Sequence, residues 1–84
     1  MTEQQKQHGA TLRAIRLACT PPMRQGALAE RLGVPNSTIS QIETGNRRLT
    51  VHMLRAAADV LATVSRMTTE EIVIAVVLGR EVTA

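Results

Sequence analysis

The sequence predicts an all-α fold, a compact bundle of five short helices. Three observations lead there. The apolar residues are Leu, Ile, Val, Ala, Met and a single Cys, with no Phe, Tyr or Trp among 84 residues. A core of that kind packs best between helices and offers no aromatic ring for stacking a base or caging a cofactor. Apolar residues recur at near-helical spacing in successive stretches. Between those stretches stand residues that stop or start helices: Thr20-Pro21-Pro22, Gly33, Thr50 and Thr68.

The elements follow in order. Residues 1–9 are polar and lack an apolar stripe, which predicts a flexible opening segment. A first helix runs from Ala10 to Cys19, with Leu12, Ile15, Leu17 and Ala18 at near-helical spacing. Proline disfavours the helical region for the residue before it, so Thr20-Pro21 ends this helix. A second helix runs from about Arg24 to Leu32, with Leu28, Ala29 and Leu32 inward, and Gly33 closes it. A third spans Asn36 to Thr44. A fourth begins after Thr50, a good N-cap, and runs from about Val51 to Leu61 or Ala62, with Val51, Leu54, Ala57, Ala58 and Leu61 on one face. Thr68-Thr69-Glu70-Glu71 reads as a capping box opening a fifth, from Thr69 to Leu78. The β-branched run "IVIAVV" would also suit a strand; the capping signal favours helix. Residues 10–62 form the principal domain on this reading, and residues 63–84 a C-terminal element.

Gln25 to Gly45 reads as one unit. A helix ends at a glycine, a short turn follows, and a second helix begins. Leu28, Leu32, Val34, Ile39 and Ile42 are apolar, and Ala29 is small where the helices would cross. These features specify a helix-turn-helix. On a wheel of about 100° per residue, Ile39 and Ile42 fall on one side of the third helix, and Ser37, Ser40, Gln41 and Thr44 on the other. Gln can pair with the N6/N7 edge of adenine, and Ser or Thr can bond either kind of base. That row, with Asn36, is the candidate base-reading surface of a major-groove helix. It carries no Lys or Arg. Charge for phosphates stands next to it instead: Asn46, Arg47 and Arg48 follow the helix, and Arg24 and Gln25 open the helix before it, where free N–H groups attract phosphate.

The stretches "LRAIR", "QGALAERLGVPNSTISQIETG" and "LTVHMLRAAADVL" together resemble the phage repressor and Cro (XRE-type) family of bacterial and phage transcription regulators. The likeness runs from Leu12 to Leu61 and implies a lambda-repressor-like bundle. It also implies phosphate contacts at both basic spots and a structural pair between Glu43 and Arg16 that turns Arg16 toward the DNA backbone. Two departures stand out. The connection "LACTPPM" is longer than the family's usual one, and Pro35 occupies a place where the family often has a Ser or Thr N-cap. Asn36 is then a candidate cap, so capping and base contact compete for one side chain.

Charge agrees with an anionic partner. Residues 1–50 carry seven Lys/Arg and three Asp/Glu, whereas residues 51–84 carry three and four. The single Cys19 excludes an intramolecular disulfide and fits a reducing compartment. No signal peptide or membrane-length apolar run is seen, and cytoplasmic, nucleoid-associated placement is expected. His8 and His52 lack ligand company, so no metal site, no cofactor and no catalytic residues are expected. The function expected is a sequence-specific double-stranded-DNA-binding regulator, a repressor or autoregulator, acting as a homodimer on an inverted-repeat operator. Ile72, Val73, Val76 and Val77 are candidates for the dimer interface, complete burial within one subunit being the alternative. A protein-interaction module of the antitoxin type, with autoregulatory DNA binding, is the other functional reading. The short stretch after Gly79 leaves it little separate binding material. A second regulatory protein is a further candidate partner.

Overall fold

A computed structural model describes residues 2–79. They form five helices: α1 Glu3–Ala18, α2 Gln25–Leu32, α3 Asn36–Thr44, α4 Val51–Ala62 and α5 Thr69–Leu78. No strand occurs among the described residues. No helix among them is long and apolar enough to cross a membrane.

Most boundaries follow from local chemistry. The Thr50 hydroxyl accepts from the Met53 N–H at 3.1 Å and starts α4. Thr68 does the same for Glu71 at 3.1 Å, and the Glu71 carboxylate accepts from the Thr68 N–H at 2.9 Å. That reciprocal box satisfies two otherwise orphaned donors and makes the apolar run after it a helix rather than a strand.

α1 departs from the sequence pattern. It starts at Glu3, not Ala10, with the Thr2 hydroxyl accepting from the Gln5 N–H at 3.0 Å. Residues 3–9, expected to be flexible, form the first turns of this helix. Their anchors are not apolar. Gly9 is buried with its Cα against the Ile42 backbone, where a Cβ would collide with the Ile42 carbonyl oxygen. Gly45 lies against Lys6, and Gln5 Nε2 donates to the Gly45 carbonyl at 2.9 Å. Backbone contact of this kind leaves no hydrophobic periodicity to read.

The core has two parts. The larger joins α1, α3, α4 and α5 through Leu12, Ile15, Ile42, Leu61, Ile72 and Val76, among others. The smaller holds Leu28, Ala29 and Ile39 between α2 and α3. α3 straddles both, with Ile42 in one and Ile39 in the other. Burying each isoleucine contributes about 1.5–3 kcal/mol, so α3 is held on two sides at once.

α5 corrects the expected interface. Ile72 and Val76 are fully buried in their own chain's core, and Val73 packs half-buried against it. The exposed apolar residues of α5 are Ile74, Val77 and Leu78. The helix is apolar on nearly every side, so pattern alone cannot tell the inner face from the outer. Contact with α1 and α4 decides it. Of the four residues expected at a dimer contact, only Val77 is on the open side.

The glycines of α1 and α2 should respond oppositely to alanine. Gly26→Ala meets nothing closer than the Asn36 side chain at 4.0 Å, and should stabilise by ~0.4–1 kcal/mol. Gly9→Ala improves helix propensity by up to ~1 kcal/mol, but overpacks a backbone contact at a cost of ~1–3 kcal/mol or more. Thermal melting should show a lower Tm for Gly9→Ala and an equal or higher one for Gly26→Ala.

Candidate nucleic-acid interface

The interface is assembled from the turn outward. α2 ends at Gly33, whose φ of 70° is left-handed, a conformation that suits glycine. The Val34 N–H then returns to the Ala29 carbonyl at 3.0 Å, which turns the chain sharply into α3. Pro35 stands at the N-cap with no side-chain bond to the helix end. Asn36 is the first helical residue and lies exposed; it does not replace the missing cap. Capping therefore makes no claim on its side chain.

A buried ion pair holds α3 from beneath. Arg16 Nε meets Glu43 Oε2 at 2.7 Å, and Nη2 meets Oε1 at 2.9 Å, a bidentate fork. The side chains are 6% and 1% exposed. Arg16 Nη1 also donates to the Met23 carbonyl at 2.6 Å, and Gln25 Nε2 donates to Glu43 Oε1 at 2.8 Å. α1, α2 and α3 thus meet at one carboxylate, and the connection between the first two helices meets the guanidinium that answers it. The resemblance implied that Arg16 also faces the DNA backbone. Here its guanidinium is turned inward, because three of its donors have partners inside the protein. Gln25, expected at a phosphate, is half-buried and tied to Glu43. Its role in holding the helices together has no signature in composition or spacing.

The outer side of α3 presents Asn36, Ser37, Gln41 and Thr44 exposed, with Ser40 half-buried. Ile39 and Ile42 occupy the inner side at 0% and 1% exposure. Thr44 is partly engaged: its hydroxyl donates to the Ser40 and Gln41 carbonyls at 3.1 and 3.2 Å and accepts from Asn46 Nδ2 at 3.0 Å. Only one hydroxyl lone pair is left for anything outside. Asn46, expected at the backbone, thus closes the helix end. Arg24, Arg47 and Arg48 are exposed around this face. Arg47 Nε donates to Gln41 Oε1 at 3.0 Å, linking a residue expected at phosphate to one expected at a base.

Cys19 lies at the back of the core, its thiol donating to the Ile15 carbonyl at 3.3 Å. Burial pushes its pKa up and the nearby Arg16 charge opposes the shift, so the thiol stays protonated and unreactive at neutral pH. Among the described residues no group of three potential metal ligands comes together.

With this geometry, comparison with known proteins is decisive on one point. A family model described as a helix-turn-helix domain matches residues 7–72. The chain belongs to the helix-turn-helix domain family. It is a DNA-binding family, and the helix-turn-helix match covers α1 from its second turn, all of α2 to α4 and the first part of α5. No curated protein and no solved structure gives a match. Within the helix-turn-helix domain, sequence spacing brings Ser37, Gln41 and Thr44 to one open face. It does not reveal Gln5, whose amide fastens the far end of α3 to α1. The isolated Gly9 inside a helix was the available hint, since such a glycine marks close backbone approach.

The buried pair predicts a specific pattern of loss and recovery. Glu43→Ala leaves Arg16 charged and buried, and should lower stability by ~3–5 kcal/mol in urea titration. Replacing both, as Arg16→Met with Glu43→Leu, should recover much of it. Equal unfolding midpoints for Glu43→Ala and the parent would remove the pair from the account.

Proposed function

We propose that the protein is a sequence-specific transcription regulator that binds double-stranded DNA as a homodimer and reads the major groove with α3. The observation that carries this is the exposed polar row of α3, held rigidly from behind by Ile39, Ile42 and the Arg16–Glu43 pair. A fixed helix offering uncharged hydrogen-bonding groups suits base edges, while exposed Arg24, Arg47 and Arg48 suit the phosphates on either side. Phosphate contacts set register, and base contacts set sequence.

The outer side of α5 supports the homodimer. Ile74, Val77 and Leu78 are exposed at 46%, 50% and 59%, and Val51 at the start of α4 at 72%. Val77 and Val51 also line a hollow of about 380 Å³ that could receive a partner's side chains. Each body measures 30 × 26 × 19 Å. A two-fold pair of that size matches reading helices about 34 Å apart, one turn of DNA. An inverted repeat is the operator that follows, and repression or autoregulation by occupancy is the simplest mode of action. Working on DNA would place the protein in the cytoplasm with the nucleoid.

Selection from random duplexes at fixed salt should return an inverted repeat; no enrichment would overturn the regulator. Affinity should fall steeply with salt. Arg24→Ala should reduce the salt slope by about 0.9 per lost phosphate contact and leave the selected sequence unchanged.

Val77→Asp places a charge on the proposed dimer face. It should convert dimer to monomer in sedimentation equilibrium and weaken binding to the full repeat far more than to a half-site. If neither changes, that face serves a different protein, as the interaction-module reading would require.

A further inference from the structure

The reading surface is not independent of the loop that follows it. The Gln41 carbonyl accepts from the Asn46 and Arg47 N–H groups at 2.8 and 3.1 Å, and from the Thr44 hydroxyl at 3.2 Å. The loop is therefore folded back onto Gln41 through its backbone. The Arg47 side chain makes a further attachment, Nε donating to Gln41 Oε1 at 3.0 Å. The chemistry of the pair fixes the amide. A guanidinium nitrogen only donates, so the side of the amide that faces it must be the oxygen. That engages one of the oxygen's two lone pairs in a charge-assisted bond, turns the oxygen toward the loop and leaves both Nε2 hydrogens for a ligand.

We propose that Arg47 is a positioning residue for specificity: it holds the Gln41 amide with its oxygen toward the loop and its Nε2 hydrogens free, an orientation that favours guanine in the major groove. This rests on the DNA-reading function proposed above. Guanine presents two acceptors there, N7 and O6. Adenine presents an acceptor beside a donor, and cytosine a donor. The two-bond match of glutamine to adenine needs the amide oxygen and nitrogen turned together to one base edge, an orientation with which the bond from Arg47 competes. Arg47 keeps its Nη groups for a phosphate, so one side chain both orients the reader and holds the backbone. Lysine cannot do both, because a methylene stands where arginine has Nε.

The test is selection from a random duplex pool at one salt concentration with the parent, Gln41→Ala, Arg47→Lys, and the Gln41→Ala/Arg47→Lys double variant. Melting curves establish that each is folded. The parent should enrich guanine at one position of each half-site, and Gln41→Ala should level that position. Arg47→Lys keeps the charge and should hold binding to unselected DNA near the parent's. It should also move that one position from guanine to adenine, by about tenfold in relative affinity. In the Gln41→Ala background the Arg47 change should leave that position level. Arg47→Lys selecting guanine as strongly as the parent while also binding unselected DNA as tightly would overturn the proposal, as would a parent that selects adenine where Gln41 reads. A parent that enriches nothing would overturn the DNA-reading function itself, and this proposal with it. That failure is distinct, because it precedes any comparison with Arg47→Lys.

Discussion

Everything at the interface depends on where the carboxylate of Glu43 sits. It lies in the interior of a small protein, and a lone buried charge there would be intolerable. Arg16 from α1 answers it with a two-point fork and Gln25 from α2 adds a third donor. The carbonyl of Met23 takes another of the Arg16 donors. Replacing such a cluster by apolar groups often leaves stability unchanged or improved, so bulk stability is not its main contribution. What it supplies is uniqueness. A small rotation or slide of α3 would separate the partners and leave charge unsatisfied, so the three helices meet in one arrangement.

The rest of the packing supports that arrangement with limited means. With no aromatic side chain, the core is filled by short aliphatic groups and by helices brought unusually close. Ala57 and Ala58 of α4 are fully buried, and Gly9 brings α1 onto the α3 backbone. α3 is clamped between two apolar clusters by Ile39 and Ile42. The result joins a closely fixed inner side of α3 to an outer side with few packing duties.

Much of this was legible beforehand. The bounds of α3 and α5 follow from Gly33, Gly45 and the Thr68–Glu71 box, because caps and left-handed glycines are local chemistry. The polar row opposite Ile39 and Ile42 follows from helical geometry alone. Three things were not legible, each for its own reason. The first turns of α1 are fastened by glycine contacts and one glutamine amide, which carry no periodicity. α5 is apolar all round, so its inner face is decided by its neighbours. Spacing points the polar side chains around α3 outward, but Asn46 bonds Thr44, Arg47 bonds Gln41 and Gln25 bonds Glu43. Short-range partners of that kind depend on the path of the loop after Gly45, which spacing does not encode.

The back-bonded loop has a consequence for how such a surface changes over generations. Ser37 is exposed near the start of α3, away from the Asn46–Arg47 attachments. If α3 reads DNA as proposed, a substitution there would alter recognition by itself, one mutation at a time. Gln41 is different, because its amide is shared with Arg47. A new residue at 41 inherits a guanidinium placed for another partner, and a new residue at 47 releases an amide oriented by its absent neighbour. Drift at Ser37 is additive, whereas drift at Gln41 is epistatic and moves in pairs. Within one nine-residue helix, divergence should be quick at one end and correlated across the turn at the other.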